Sequence, residues 1–235
     1  MDKVTFQDSS VTEFINQKFI AIKLQLDTTM GDNERIKNWR KDVEYLKKKY
    51  TISAVPTFLF FDAKGEIVHM GRGALDPSSF LVLGKNAMNS LKQYFPLLRK
   101  FEEGERDYRR MEYLARTAKG LGFSDVAYKV ARTYMDGYLL KLPADSLMKI
   151  DAIRFISDFI QHSNSPEFEF FSRNAKRIND LVEYKDFSEM LNCSVIAKEE
   201  IDPKVWPHNK AVDNEPDWDQ LKKILQRKFN NEYVK

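Results

Sequence analysis

The spacing of apolar residues changes period several times within the first ninety positions. FIAIKLQLD (19–27) alternates, with Ile20, Ile22, Leu24 and Leu26 on one side and Ala21, Lys23 and Gln25 on the other. Period two predicts a strand with one buried face. NERIKNWRKDVEYLKKKY (33–50) then spaces Ile36, Trp39, Val43, Leu46 and Tyr50 by three and four. That spacing predicts one amphipathic helix, and the lysines at 47–49 suit its carbonyl end. TFLFF (57–61) is apolar on both sides, as for a strand covered on both faces. The turn Asp62-Ala63-Lys64-Gly65 is so short that EIVHMGR (66–72) must return antiparallel, as a hairpin. Asp76 followed by Pro77 predicts a capped helix through Phe80, Leu81 and Leu83 to Met88.

From about residue 91 no segment reads as a strand. Apolar stripes predict helices over 106–122, 123–140 (with Ser124 as cap), 145–160 and 165–182, the last opened by Ser165 and Pro166, with more helix around 187–199. IDPKVWPHNKAVDNEP (201–216), with its prolines at 203, 207 and 216, predicts an ordered loop anchored by Trp206. An amphipathic helix closes the pattern over 218–229. The switch sets a boundary within 90–104, giving a mixed α/β domain over 1–90 and a helical domain over 91–235.

Composition refines this picture only slightly. A chain of 235 residues with 43% hydrophobic and 31% charged residues is globular in type. Its 17 Phe and 10 Tyr predict a core built largely from rings. A net charge of +3 gives no reason to expect a nucleic-acid or membrane-surface partner. No apolar run approaches the ~20 residues of a membrane helix, and MDKVTFQDSS has no apolar segment of the signal-peptide kind. The chain as given carries no export signal.

Candidate chemistry is sparse. The single cysteine, Cys193 in EMLNCSVIA, excludes an intrachain disulfide and is expected to be a small buried hydrophobe. His69, His162 and His208 lie in separate segments without metal-ligand spacing, so neither a metal nor a cofactor is expected. Gly71, Gly73 and Gly84 do not form a phosphate loop, because the G-x-G follows a hairpin strand rather than opening a βαβ helix. GLGFSDVAYKVARTY (120–134), with Ala127 and Ala131 at a close helix approach, resembles half of a tetratricopeptide unit. No second copy occurs at the period of about 34 residues that such repeats need, so an irregular helical array is expected.

The order strand–helix–proline–hairpin–helix carries a resemblance. With Tyr50, Ile52, Ala54, Pro56 and Thr57 set as Y-x-I-x-A-x-P-T before an apolar strand, residues 1–90 resemble the second half of a thioredoxin fold. Phe6, Asp8 and Val11 match the F-x-D-x-x-V segment that follows Cys-x-x-Cys in bacterial thiol:disulfide interchange proteins, the disulfide isomerase-like family. The resemblance implies a cis Val55–Pro56 bond and a peptide-binding edge at Val55 and Pro56, where the backbone of Val55 pairs with extended substrate. It also implies that the dithiol half of the fold would precede Met1. Either Met1 is an internal methionine of a longer reading frame, the favoured reading, or the protein naturally lacks that half.

The expectation is therefore an incomplete thioredoxin-like α/β domain followed by an all-α array. By resemblance it would act on protein or peptide thiols in the bacterial periplasm, but be catalytically silent in this chain for want of Cys-x-x-Cys. The alternative is a non-catalytic interaction module that docks partners on the helical domain. Loss of a central strand would leave bare edges. Segment 19–27 is expected to shift and pair with 57–61, or a second chain to fill the gap as a dimer.

Overall fold

Side-chain caps set many of the helix starts in the computed structural model, which describes residues 1, 3–206 and 216–229. Asp8 accepts from the amides of Ser10 and Val11 and opens α1 (Ser9–Lys18). Asn33 accepts from Ile36 N–H at α2 (Glu34–Asn38), which is followed by α3 (Arg40–Lys49). The hairpin is β1 (Thr57–Phe61) and β2 (Ile67–Arg72), and Asp76 then caps α4 (Pro77–Met88) through Ser79 N–H. Helices α5 (Tyr94–Glu102), α6 (Tyr108–Gly120) and α7 (Ser124–Gly137) follow. Next come α8 (Ala144–Leu147), α9 (Ile150–Phe159), α10 (Pro166–Arg173), α11 (Ala175–Val182) and α12 (Phe187–Ile196). A π-helical turn, Ala197–Ile201, leads into α13 (Asp202–Val205), and α14 is Trp218–Phe229. Each cap satisfies amides that have no partner within the helix.

The chain divides into two compact units, Met1–Val130 and Ala131–Lys235, with the division inside α7. The first unit therefore runs past the end of the strand-bearing sequence and takes in α5 and α6. One reason is a buried hydrogen bond in which Tyr94 N–H, at the start of α5, donates to Nδ1 of His69 on β2 at 3.1 Å. The hairpin pairs Thr57 with Arg72, Phe58 with Gly71, Leu59 with Met70 and Phe60 with His69, with a register shift at Phe61. Asp62 shapes its turn by accepting from Lys64 and Glu66 N–H, both at 2.9 Å.

Rings pack against the hairpin as the composition anticipates. Phe58 meets Phe80 at 5.2 Å, Phe6 lies against both, and Phe60 meets Phe19 at 5.5 Å, all edge to face. Such pairs add to burial because the ring edge faces the negative π surface. Gly71 lies directly under Leu83 of α4, and Gly84 under the Phe14 ring of α1, so a Cβ at either position would collide with its neighbour. These glycines allow close packing; they do not cradle phosphate.

The second unit has its own core. Ile160, Phe168, Val195, Ile196, Leu221 and Leu225 form one cluster. Arg132 donates to the buried Glu167 carboxylate at 2.7 Å. Asn179 ties the turn between α11 and α12 by accepting from Ser188 N–H at 2.8 Å and donating to the Lys185 carbonyl at 2.6 Å.

Several expectations need correction. Segment 19–27 takes no regular secondary structure and belongs to no ladder, and among the described residues β1 pairs with β2 alone. It has not shifted onto 57–61. A segment becomes a strand only when a neighbour takes its amides and carbonyls, and among the described residues none pairs with 19–27. Ile20 is 98% exposed and Ile22 64% exposed.

The single helix expected over 33–50 is broken at Trp39, whose N–H turns towards both the Arg35 and Ile36 carbonyls and tightens the turn. Short breaks likewise divide 145–160 between α8 and α9, and 165–182 at Asn174. Trp206 is exposed rather than an anchor, residues 202–205 are helical, and 207–215, with His208, lie outside the described residues. Cys193 is exposed rather than buried, because the inward arc of α12 is taken by Ser188, Asn192, Val195 and Ile196.

Candidate functional site

The two residues that the sequence points to sit together at the entrance to β1. The Val55–Pro56 peptide bond is cis. Pro56 turns its carbonyl to the opposite strand's end, where it accepts from Gly73 N–H at 2.9 Å. Gly73 has φ +91°, in the region that favours glycine, so the chain leaves β2 there without a side-chain clash. Thr57 folds its hydroxyl back onto the Ala54 carbonyl at 2.7 Å and closes the loop ahead of the strand. Val55 itself is 67% exposed and makes no hydrogen bond among the described residues. It stands at the head of a strand whose outer edge carries no neighbour among those residues. Chemically, the junction offers an extended polypeptide one free amide, one free carbonyl and a small apolar contact.

The loop before this junction is held from two sides. Ile52 N–H donates to the Lys47 carbonyl at 2.9 Å, which fastens it to α3. Arg72, the register partner of Thr57, reaches across and donates from one terminal nitrogen to the Thr51 carbonyl at 3.3 Å. Thr51 has φ +49°, a left-handed conformation uncommon for a threonine. The guanidinium carbon of Arg72 lies 5.9 Å from the centre of the Phe123 ring, and Gly122 leaves room for its other terminal nitrogen. Arg72 therefore links the peptide loop to the turn between α6 and α7. Inspection for motifs misses this residue. Its signal is parity: Val68 and Met70 are buried, and Arg72 continues their row as a cation.

Deeper in the same unit, His69 is 2% exposed, and burial pushes its imidazole down to about 4. Its Nδ1 accepts a hydrogen bond, so the neutral ring carries its proton on Nε2. That makes it a structural acceptor at the start of α5. Burial, with the Glu102 charge second, also pushes the Tyr94 hydroxyl above its ordinary range.

Near segment 19–27, the Asp32 carboxylate accepts from Thr29 N–H at 3.1 Å, the Thr29 hydroxyl at 2.6 Å and Gln25 at 3.0 Å, and pairs with Arg40. The two Thr29 hydrogen bonds are the main reason that it stays below the usual carboxylate range. This network ties down the far end of 19–27. His162 faces Glu199 at 3.0 Å in the other unit, and no group of His, Cys, Asp and Glu able to hold a metal occurs among the described residues. Cys193 also lies in the second unit, with no other cysteine in the chain.

No described helix is long and apolar enough to cross a membrane. Neither curated proteins nor solved structures include a match to the chain. Residues 1–87 do match the family model of a thioredoxin-like domain, so the chain carries a thioredoxin-like domain with a small two-stranded sheet, followed by a mostly helical C-terminal region.

Proposed function

We propose that the thioredoxin-like domain docks extended polypeptide at Val55 and Pro56, and that this chain performs no dithiol exchange by itself. One observation carries the reading: among the described residues, Val55 is exposed and without a hydrogen bond at the head of a strand with an open edge. An added strand supplies the missing backbone partners, the usual basis of recognition by strand addition. Exchange needs an attacking thiolate and a second thiol to resolve the mixed disulfide, and the chain has one cysteine. A role of the family type, reduction or isomerisation of protein disulfides in a bacterial cell envelope, needs a dithiol that these 235 residues do not contain.

The same open edge, with the exposed stretch 20–23, suits pairing between two copies of the chain. Sedimentation velocity across a dilution series then shows a concentration-dependent dimer; a single monomer boundary throughout removes this part of the reading. The principal test is direct. Extended apolar peptides bind the full chain, binding weakens in Val55→Pro, which lacks the amide, and insulin reduction stays at the no-protein blank. Turnover above the blank, or peptide binding indifferent to Val55→Pro, overturns it.

A further inference from the structure

Arg72 is placed as no other cation near the peptide edge is placed. It stands opposite Thr57, two residues from Val55, and its guanidinium lies against the loop that begins at Thr51. The side chain is partly buried, and its Nε is fully covered without a hydrogen-bond partner. A guanidinium has five N–H donors, and the acceptor found for this one is a single carbonyl at 3.3 Å. Among the described residues no carboxylate pairs with it. The other partly buried arginines among the described residues have carboxylates: Asp32 for Arg40, Asp107 for Arg110, Glu112 for Arg116, and both Asp136 and Glu167 for Arg132.

Partly burying a guanidinium without a counter-charge is costly, and the cost falls when an anion arrives with matching acceptors. The Phe123 ring, 5.9 Å from the guanidinium carbon, and the cleared space at Gly122 give the group a defined place before any ligand binds. A preset fork of this kind suits a planar carboxylate.

We infer that Arg72 receives a carboxylate carried by the polypeptide that docks at Val55, and so selects substrates or partners with an aspartate or glutamate close to the docking point. This inference rests on the docking reading above. An extended peptide advances about 3.3 Å per residue, so the acidic residue falls within two or three positions of the one that pairs with Val55. Arg72 is a specificity residue here and takes part in no bond making.

The test uses the full chain and acetylated octapeptides of alternating Ser and Val, with Glu, Gln or Lys scanned through the central positions. Binding is read by calorimetry between about 50 and 500 mM salt, a range over which screening of a solvent-accessible ion pair grows. The expected result is one position where Glu binds roughly tenfold tighter than Gln, about 1.4 kcal/mol, with Lys weakest and the preference shrinking as salt rises. Arg72→Met abolishes that preference, whereas Lys64→Gln at the far end of the hairpin leaves it intact. Melting temperatures of all variants are recorded, and if Arg72→Met does not fold, Arg72→Lys replaces it, with a reduced preference expected because the fork is lost.

Equal affinity of Glu and Gln peptides for the wild-type chain overturns the inference and leaves the docking reading standing. So does a preference that survives in Arg72→Met or is indifferent to salt. Failure of every peptide to bind, or binding that Val55→Pro does not weaken, removes the docking reading and this inference with it.

Discussion

Segments 19–27 and 57–72 make an instructive pair, because both have the composition and spacing of strands and only one forms a ladder. In the hairpin, Thr57–Phe61 and Ile67–Arg72 bond to each other, and helices cover them with Phe6, Phe80 and Leu83. In 19–27 no ladder forms among the described residues: Ile20 and Ile22 project into solvent, and the segment is held at its ends, by Phe19 on Phe60 and by Gln25 on Asp32. Alternation describes the environment a side chain is suited to. A ladder needs a second backbone at about 4.8 Å, which alternation cannot supply. The hairpin carries its partner within a few residues; 19–27 does not.

That contrast predicts unequal costs of mutation. Phe80→Ala removes a buried ring that meets both Phe6 and Phe58, and should cost about 3–5 kcal/mol. Thermal unfolding of the full chain measures it, and a loss below about 1 kcal/mol would mean that the rings over the hairpin contribute no more than those in open loops.

Acid provides the next test. His69 titrates near 4 in the folded chain against 6.5 for an unperturbed histidine, so between those values the unfolded chain binds a proton that the folded one refuses. Stability is unaffected by this group above pH 6.5 and falls as pH drops from 6.5 to about 4. At about 1.4 kcal/mol per unit, the loss reaches about 3 kcal/mol. Denaturant midpoints of wild type and His69→Gln, taken from pH 7 to 4.5, should converge as pH falls, because Gln keeps an acceptor for Tyr94 N–H and does not titrate. Parallel curves would sink the assignment.

The smallest effect is expected where the ladder is missing. Ile20→Ser replaces a side chain already in water and should change stability by no more than about 0.5 kcal/mol in dilute monomer. A larger loss would mean that 19–27 is covered in solution, by a second copy or another chain, and would make the two segments alike after all.

Legibility in the sequence followed the range of the forces involved. Helix caps such as Asp76 and Ser165, and the turn at Asp62, act over two to four residues and could be read directly. The Val55–Pro56 junction was legible because a proline ahead of an apolar run is a local signature. Breaks at Trp39 and Asn174 were not legible, since the apolar stripe continues through both. Exposure of Cys193 and Trp206 was missed for a related reason: an apolar neighbourhood in sequence does not say which arc of a helix faces inward. Arg72 escaped notice because its neighbours Thr51, Gly122 and Phe123 are distant in sequence.

By itself the amino-acid order determined the type of most elements, the switch from strand-bearing to helical chain, the ring-rich composition of the core and the absence of any cysteine pair. These follow from periodicity, capping and counting, which need no partner in space. Only the tertiary structure decided which strand-like segment became a strand, that His69 holds the start of α5 as a neutral acceptor, and that Arg72 lies against the loop leading to Val55 without a counter-charge among the described residues. Each of those depends on groups from distant parts of the chain meeting or failing to meet, and a linear pattern carries no record of such meetings.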